Sequence, residues 1–80
     1  MHRAKNYSDI AEPFSKLSAR QQEVITLVCD GLSNRQIAEK LKVTEGTVKI
    51  HLHAIYEKLG VQSRMELMIT LAERSKLAPD

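Results

Sequence analysis

Apolar side chains recur every three or four residues in four separate stretches of this chain. In the clearest stretch, the spacing i, i+4, i+7 and i+11 follows one stripe of a helix, formed by Val48, Leu52, Ile55 and Leu59. No run of β-branched residues alternates with polar residues, as a half-buried strand requires. The pattern therefore predicts an all-α fold with four short helices around one core.

Helix start signals precede the apolar stretches. The capping-box pattern, a serine followed three residues later by Gln or Glu, occurs at Ser18/Gln21, Ser33/Gln36 and Ser63/Glu66. Thr44 is suited to cap the third helix, and Gly31 and Gly60 are suited to helix ends. The signals predict helices at about 19–30, 45–58 and 64–75, with a short second helix between Ser33 and a turn at 42–43.

The domain boundaries follow from where this periodicity begins. Residues 1–16 are predicted to be a flexible lead-in or linker, and residues 17–77 a single helix-turn-helix domain. A domain of this size buries only about 60% of its unfolded surface. That leaves little room for an enclosed substrate pocket in addition to a core.

The outer face of the third helix, opposite its apolar stripe, has an unusual composition. At 100° per residue it carries Gly46, Ile50, His53 and Glu57, flanked by Lys49 and Ala54. In the DNA major groove, small apolar groups can contact thymine methyls, and lysine can donate to guanine. Lys49, Ile50 and His53 are therefore the candidates for base contact, although single exposed isoleucines also occur on ordinary surfaces.

Polar residues at helix ends and corners are candidates for contact with the DNA backbone. The free N–H groups and the dipole of a helix N-terminus favour an anion. The candidates are Ser33, Asn34, Thr44, Thr47, Lys58 and Arg64. The hydroxyl groups among them are equally suited to simple capping, and the basic side chains to plain solvation.

Charge and composition limit the possible partners. The net charge of +2 is mild, and because DNA affinity grows with the number of phosphates neutralised, one copy would bind weakly. Cys29 is the only cysteine, so neither an intramolecular disulfide nor a multi-cysteine zinc site can form. On a helix, His51 and His53 point roughly 160° apart, which argues against a shared metal ion.

The chain contains no recognisable set of catalytic residues, and we expect no enzyme activity, no metal and no cofactor. It also contains no apolar segment typical of a signal peptide or a membrane span. We therefore expect a cytoplasmic protein without a membrane partner.

Three motifs in register, GLSNRQIA, TVKIH and KLGVQSR, closely resemble the LuxR-type helix-turn-helix DNA-binding domain over about residues 17–72. The resemblance implies that the third helix enters the major groove of double-stranded DNA with two-fold-related half-sites. It also implies a homodimer formed through the fourth helix, and RNA polymerase is a further candidate partner. A regulatory domain, a receiver or a small-molecule sensor, usually accompanies such domains and is absent from these residues.

Two positions depart from the family's pattern. His53 stands where a basic residue is common, so its charge would depend on pH. Gln21 stands where the family usually has Glu, so any ion pair made by that carboxylate is missing.

The fourth helix has apolar residues on two sides. One stripe contains Met65, Met68, Ile69 and Ala72, and Leu67 and Leu71 lie nearly opposite. A helix that is apolar on two sides needs two partners, here the core and a second copy. Periodicity does not decide which stripe faces the partner, and Leu67, Leu71 and Met68 are the candidate interface residues.

Two other functions remain possible on the residues alone. The outer face of the third helix could dock a partner protein, or the domain could resemble region four of a sigma factor. Salt dependence separates DNA binding from an apolar protein contact, since only the former weakens log-linearly with salt.

Overall fold

The computed structural model describes residues 14–77, with side chains for residues 14–76. Within that range the chain forms no strand and, besides a helical residue pair at 14–15, four α-helices: α1 (Ala19–Cys29), α2 (Asn34–Leu41), α3 (Glu45–Leu59) and α4 (Arg64–Leu77). The predicted all-α fold is confirmed, and the predicted bounds lie within two residues of the observed ones.

Side-chain caps fix the starts of the helices. Ser18 and Ser33 form complete capping boxes with Gln21 and Gln36. At α4 the Ser63 hydroxyl accepts from the backbone N–H of Glu66, but the Glu66 carboxylate accepts from Gln62 N–H at 2.7 Å. The predicted third capping box is therefore only half right, because its reciprocal bond is shifted by one residue.

The turn between α2 and α3 depends on a left-handed backbone at Lys42, with φ 61°. A left-handed conformation costs a non-glycine residue about 1 kcal/mol or more. It allows the Val43 N–H to donate back to Ala38 O at 3.0 Å, so the chain leaves α2 abruptly. As a result α3 begins only three residues after Lys42 and crosses α2 closely.

The core lies between α3 and the three other helices. Its fully buried large side chains are Val24, Val28, Ile37, Val48, Ile55 and Leu67. Most of the contacts between helices join α3 to α1 and to α2. Val48, Leu52 and Ile55 are buried as the periodicity predicts, so the opposite side of α3 must face outward.

The domain begins earlier than the sequence predicted. Phe14 and Leu17 are both buried in the core, and the Leu17 N–H donates to Phe14 O at 3.1 Å. The Arg74 guanidinium also lies 4.4 Å from the centre of the Phe14 ring. Assigning residues 14–16 to a flexible lead-in is therefore wrong, and residues 1–13 of that segment lie outside the described range.

Helix α4 turns its leucines inward. Leu67 has no exposed surface, and Leu71 is half-buried against the core. Met65, Met68 and Ile69 are 73%, 42% and 53% exposed. Leu67 is packed wholly within the domain, so the prediction that it contacts a second copy is wrong, whereas the half-buried Leu71 stays a candidate. Met68 keeps its place as a candidate.

Candidate nucleic-acid interface

The outward side of α3 presents Lys49, Ile50 and His53, and all three are exposed, Ile50 to 69%. Among residues 14–76, none of their side chains takes part in a hydrogen bond or an ion pair. The His53 ring approaches only the Tyr56 ring, at 6.2 Å between centroids. The structure thus brings the predicted base-contact residues together as one surface without internal partners, called the α3 face below.

Gly46 lies in the first turn of this face, and the fold itself does not require it. Its φ is not in the left-handed region, and an added Cβ would meet only Thr44 Oγ1, at 3.7 Å. Alanine would fit there and would favour the helix by up to about 1 kcal/mol. The missing side chain instead leaves the α3 backbone accessible from outside.

The two neighbouring histidines have different surroundings. His53 is exposed on the α3 face, whereas His51 is half-buried on another side of the helix. In the part of the chain that the structure describes, no three His, Cys, Asp or Glu side chains cluster as metal ligands.

The hydroxyl groups predicted to contact the DNA backbone all form hydrogen bonds at the starts of helices. Ser33 Oγ accepts from Gln36 N–H at 3.2 Å, and Thr44 Oγ1 accepts from Thr47 N–H at 3.1 Å. The Thr44 and Thr47 hydroxyls also lie 3.1 Å apart. Ser33 only accepts its cap bond and so keeps its proton for a phosphate, whereas one of the two protons of the Thr44 and Thr47 hydroxyls is used in the bond between them.

Lys58 is held by the N-terminal side of α1. Its Nζ donates to Lys16 O and to Gln21 Oε1, both at 2.9 Å. An ammonium has three protons, so at most one remains for a phosphate. Gln21 thus accepts a hydrogen bond from the Lys58 ammonium but supplies no negative charge to form an ion pair. No local sequence signal connects these residues, which are 37 and 42 positions from Lys58.

Arg64 and Asn34 are joined to each other, although both were predicted as separate backbone contacts. Arg64 Nη1 donates to Asn34 Oδ1, and Nη2 donates to Leu32 O, both at 2.7 Å. The start of α4 is thereby fixed to the start of α2, 30 residues earlier.

Neither ion pair of the described residues involves the α3 face. Among the described residues, Arg20 pairs with Glu23 at 3.4 Å and Arg35 with Glu39 at 3.7 Å, within α1 and α2 respectively. Exposed pairs of this kind contribute little to stability. The charges on Lys49 and Arg64 therefore remain available to an anionic partner.

Cys29 lies at the surface near the end of α1, away from this interface. Partial desolvation, and then the neighbouring Asp30 carboxylate, raise the pKa of its thiol. A raised pKa lowers the thiolate fraction at neutral pH, which does not suit a nucleophile.

The family model described as bacterial regulatory proteins of the luxR family matches residues 15–71. The chain belongs to the LuxR family. The match covers all of α1 to α3 and half of α4, so the motifs found in the sequence correspond to one continuous domain. None of the described helices of this LuxR-family chain has the length and apolar character needed to cross a bilayer.

Similar proteins are named as transcriptional or response regulators. The chain is 40% identical over 63 residues to the nitrate/nitrite response regulator protein NarP of Escherichia coli, covering 79% of the chain and 29% of NarP. It is 38% identical over 73 residues to the response regulator protein TodT of Pseudomonas putida, covering 91% and 32%.

A solved structure shares this fold. The crystal structure of response regulator ChrA from a heme-sensing two-component system matches with a TM-score of 0.67 and 47% identity. The match covers 78% of this chain and 30% of ChrA. The chain thus spans less than a third of the length of each of NarP, TodT and ChrA.

Proposed function

We propose that this LuxR-family domain binds double-stranded DNA in a sequence-specific manner, as the output domain of a bacterial transcriptional regulator of the response-regulator type. The observation that carries the proposal is the α3 face. Lys49, Ile50 and His53 are exposed, and their side chains form no hydrogen bond or ion pair among residues 14–76, on a helix whose other side is fixed in the core.

Insertion of α3 into the major groove fits its dimensions. A groove about 12 Å wide accepts one helix of about 10–12 Å diameter. In this arrangement Lys49 donates to a guanine edge, Ile50 contacts a thymine methyl, and His53 reaches the next base pair. The absence of a side chain at Gly46 lets the helix approach closely.

Backbone contacts would surround the groove at the helix starts. Ser33 and Asn34 open α2, Thr44 and Thr47 open α3, and their free N–H groups favour phosphate oxygens. Lys58 and Arg64 add positive charge at the corner between α3 and α4. Since both side chains are partly engaged within the domain, they would provide fewer donors than free ones.

We further propose that two copies bind two-fold-related half-sites through α4. The exposed apolar residues Met65, Met68 and Ile69 lie on the side of α4 that the core leaves uncovered. Leu67 and Leu71 would support this surface from within. A net charge of only +2 makes a single copy a weak binder, which favours a pair. The site of action would be the bacterial nucleoid, with RNA polymerase as a further candidate partner.

The alternative is a protein-interaction module that uses the same α3 face. Membership of the LuxR family favours the regulator over a sigma-factor region. Salt dependence distinguishes DNA binding from a protein-interaction module. The logarithm of the duplex affinity must fall linearly with the logarithm of the salt concentration, with a slope of roughly −0.9 per phosphate contacted. An apolar protein contact would not show this dependence.

Titration of the chain with a short duplex across a salt series tests the proposal. We expect a steep negative slope for the parent and weaker binding at every salt concentration for Lys49→Ala. Arg20→Gln, which removes the same charge from an exposed position of α1 outside the α3 face, is the matched control. Absence of salt-dependent binding, or equal losses in both variants, would reject the proposal.

A further inference from the structure

The Arg64 guanidinium forms hydrogen bonds on both sides of the N-cap of α2. Its two donors meet Asn34 Oδ1 and Leu32 O, one on each side of the Ser33 cap. The guanidinium is a planar fork with fixed donor directions, so two simultaneous bonds hold the segment in one orientation. A lysine at this position could not reproduce both bonds with the same geometry.

These bonds determine how Asn34 is oriented. Arginine has only donors, so the atom of Asn34 that faces it must be the amide oxygen. The amide nitrogen Nδ2 then faces the other way, and no residue among 14–76 accepts a hydrogen bond from it. Asn34 is only half-buried, and Nδ2 is not among the buried unpaired atoms of the described residues. It is therefore a fixed donor that remains open to solvent.

The electrostatics at this point favour an anion. The first turn of α2 contains no acidic residue, and no described carboxylate pairs with Arg64. A cation beside the positive end of a helix dipole is unfavourable for the helix alone. A bound phosphate would relieve the repulsion between the guanidinium and the dipole.

We infer that Arg64 is a positioning residue, which aims the Asn34 amide nitrogen and the first turn of α2 at one DNA phosphate. This inference rests on the proposed function and deepens it. Asn34 Nδ2 donates to the phosphate oxygen, whereas Arg64 acts through Asn34 and through the local positive charge. The two residues form one unit instead of two independent contacts.

Asn34→Asp tests the donor. The aspartate keeps an oxygen for Arg64 and suits a helix N-terminus, so we expect an unchanged or higher Tm. Loss of the amide donor should weaken binding to a mixed-sequence duplex about tenfold or more and reduce the salt slope by about 1. Gln36→Glu is the matched control, because it adds the same charge to the same turn and keeps the cap. Equal losses in both variants would overturn the inference.

A double-mutant cycle tests the coupling. Arg64→Lys retains the charge, and we expect it to weaken duplex binding several-fold in the parent but hardly at all in an Asn34→Ala background. Additive losses would show that Arg64 contacts DNA independently. A loss that merely follows the unfolded fraction, measured by thermal unfolding of each variant, would also contradict the positioning role.

The two levels of the proposal fail in different ways. A parent chain without salt-dependent duplex binding would reject the proposed function itself. A parent that binds, combined with additive losses in the cycle, would reject only the role assigned to Arg64.

Discussion

Many polar side chains of the candidate interface have a structural role as well as a proposed contact role. Ser33 and Thr44 cap helices, Lys58 bonds to α1, and Arg64 holds Asn34. Of the candidate contact residues, only Lys49, Ile50 and His53 have side chains without such a structural role among the described residues. Substitutions on the α3 face should therefore change binding without changing stability, and substitutions at its edge should change both.

Gly46→Ala tests close approach of the α3 backbone. The added methyl group meets only Thr44 Oγ1, at 3.7 Å, so we expect the free energy of unfolding to rise by up to about 1 kcal/mol. Duplex affinity should nevertheless fall, because the methyl group would lie between the helix and the groove. Thermal unfolding and a duplex titration on the same sample measure the two effects. Equal or tighter binding by the alanine variant would argue against close approach.

Gln21→Glu should convert a neutral contact with Lys58 Nζ, now at 2.9 Å, into an ion pair. We expect about 1 kcal/mol of added stability at neutral pH, since hydrogen bonds between charged groups are the stronger ones. The gain requires the carboxylate, so it should be lost as acidification protonates it. Urea unfolding at neutral and acidic pH measures this.

Gln36→Glu is the control for this prediction, since Gln36 occupies the same place in the second capping box without a lysine partner. The change in its free energy of unfolding measures only the interaction of the new carboxylate with the helix dipole, about 0.3–1 kcal/mol. If both variants were stabilised equally, Lys58 would contribute nothing to the pair.

At the level of elements, the caps and stripes of the helices could be predicted from sequence because they are local. Ser18, Ser33 and Thr44 begin α1, α2 and α3 as the patterns indicate. The left-handed turn at Lys42 could not be predicted, because that conformation favours Gly or Asn over Lys. Its strain is offset by packing that only the folded domain provides.

The orientation of α4 was also beyond sequence reasoning. Both apolar stripes fit a core, and the decision depends on Leu67 joining a core cluster whose other members are distant in sequence. The same limit applies to the Arg64–Asn34 and Lys58–Gln21 bonds, which join residues at least 30 positions apart. For the exposure of Lys49, Ile50 and His53 on the α3 face, helical periodicity was sufficient, because all three lie on one helix.

Met68→Glu tests α4 as the contact between two copies. Met68 is 42% exposed, so we expect its substitution to change the free energy of unfolding by no more than about 0.5 kcal/mol. Binding to a duplex with two half-sites should weaken strongly, while binding to one half-site should not. Sedimentation with each duplex counts the copies bound.

Two further variants are controls for the Met68→Glu experiment. Thr26→Glu, on the exposed side of α1, is expected to leave both duplexes bound as before. Leu67→Glu places a charge in the core and should unfold the domain, since an unpaired buried charge costs several kcal/mol. If Met68→Glu still assembled as a pair on the double site, α4 would not be the contact.

For the whole molecule, small size and mild charge lead to the same expectation. A domain with net charge +2 gains modest affinity from phosphates alone. Pairing doubles the number of phosphate contacts, so the salt slope on a double site should be about twice that of Met68→Glu on the same duplex. Equal slopes for the two proteins would indicate that the parent binds as a single copy.

The central claim is that the α3 face determines which DNA sequence is bound. Selection of bound duplexes from a random pool, by the parent and by Lys49→Ala and Ile50→Ala, tests it most directly. We expect a preferred sequence for the parent, and relaxed preference at one or two base pairs for each variant, with a loss of about 1–3 kcal/mol for a good contact. The same selected sequence from all three proteins would contradict the claim.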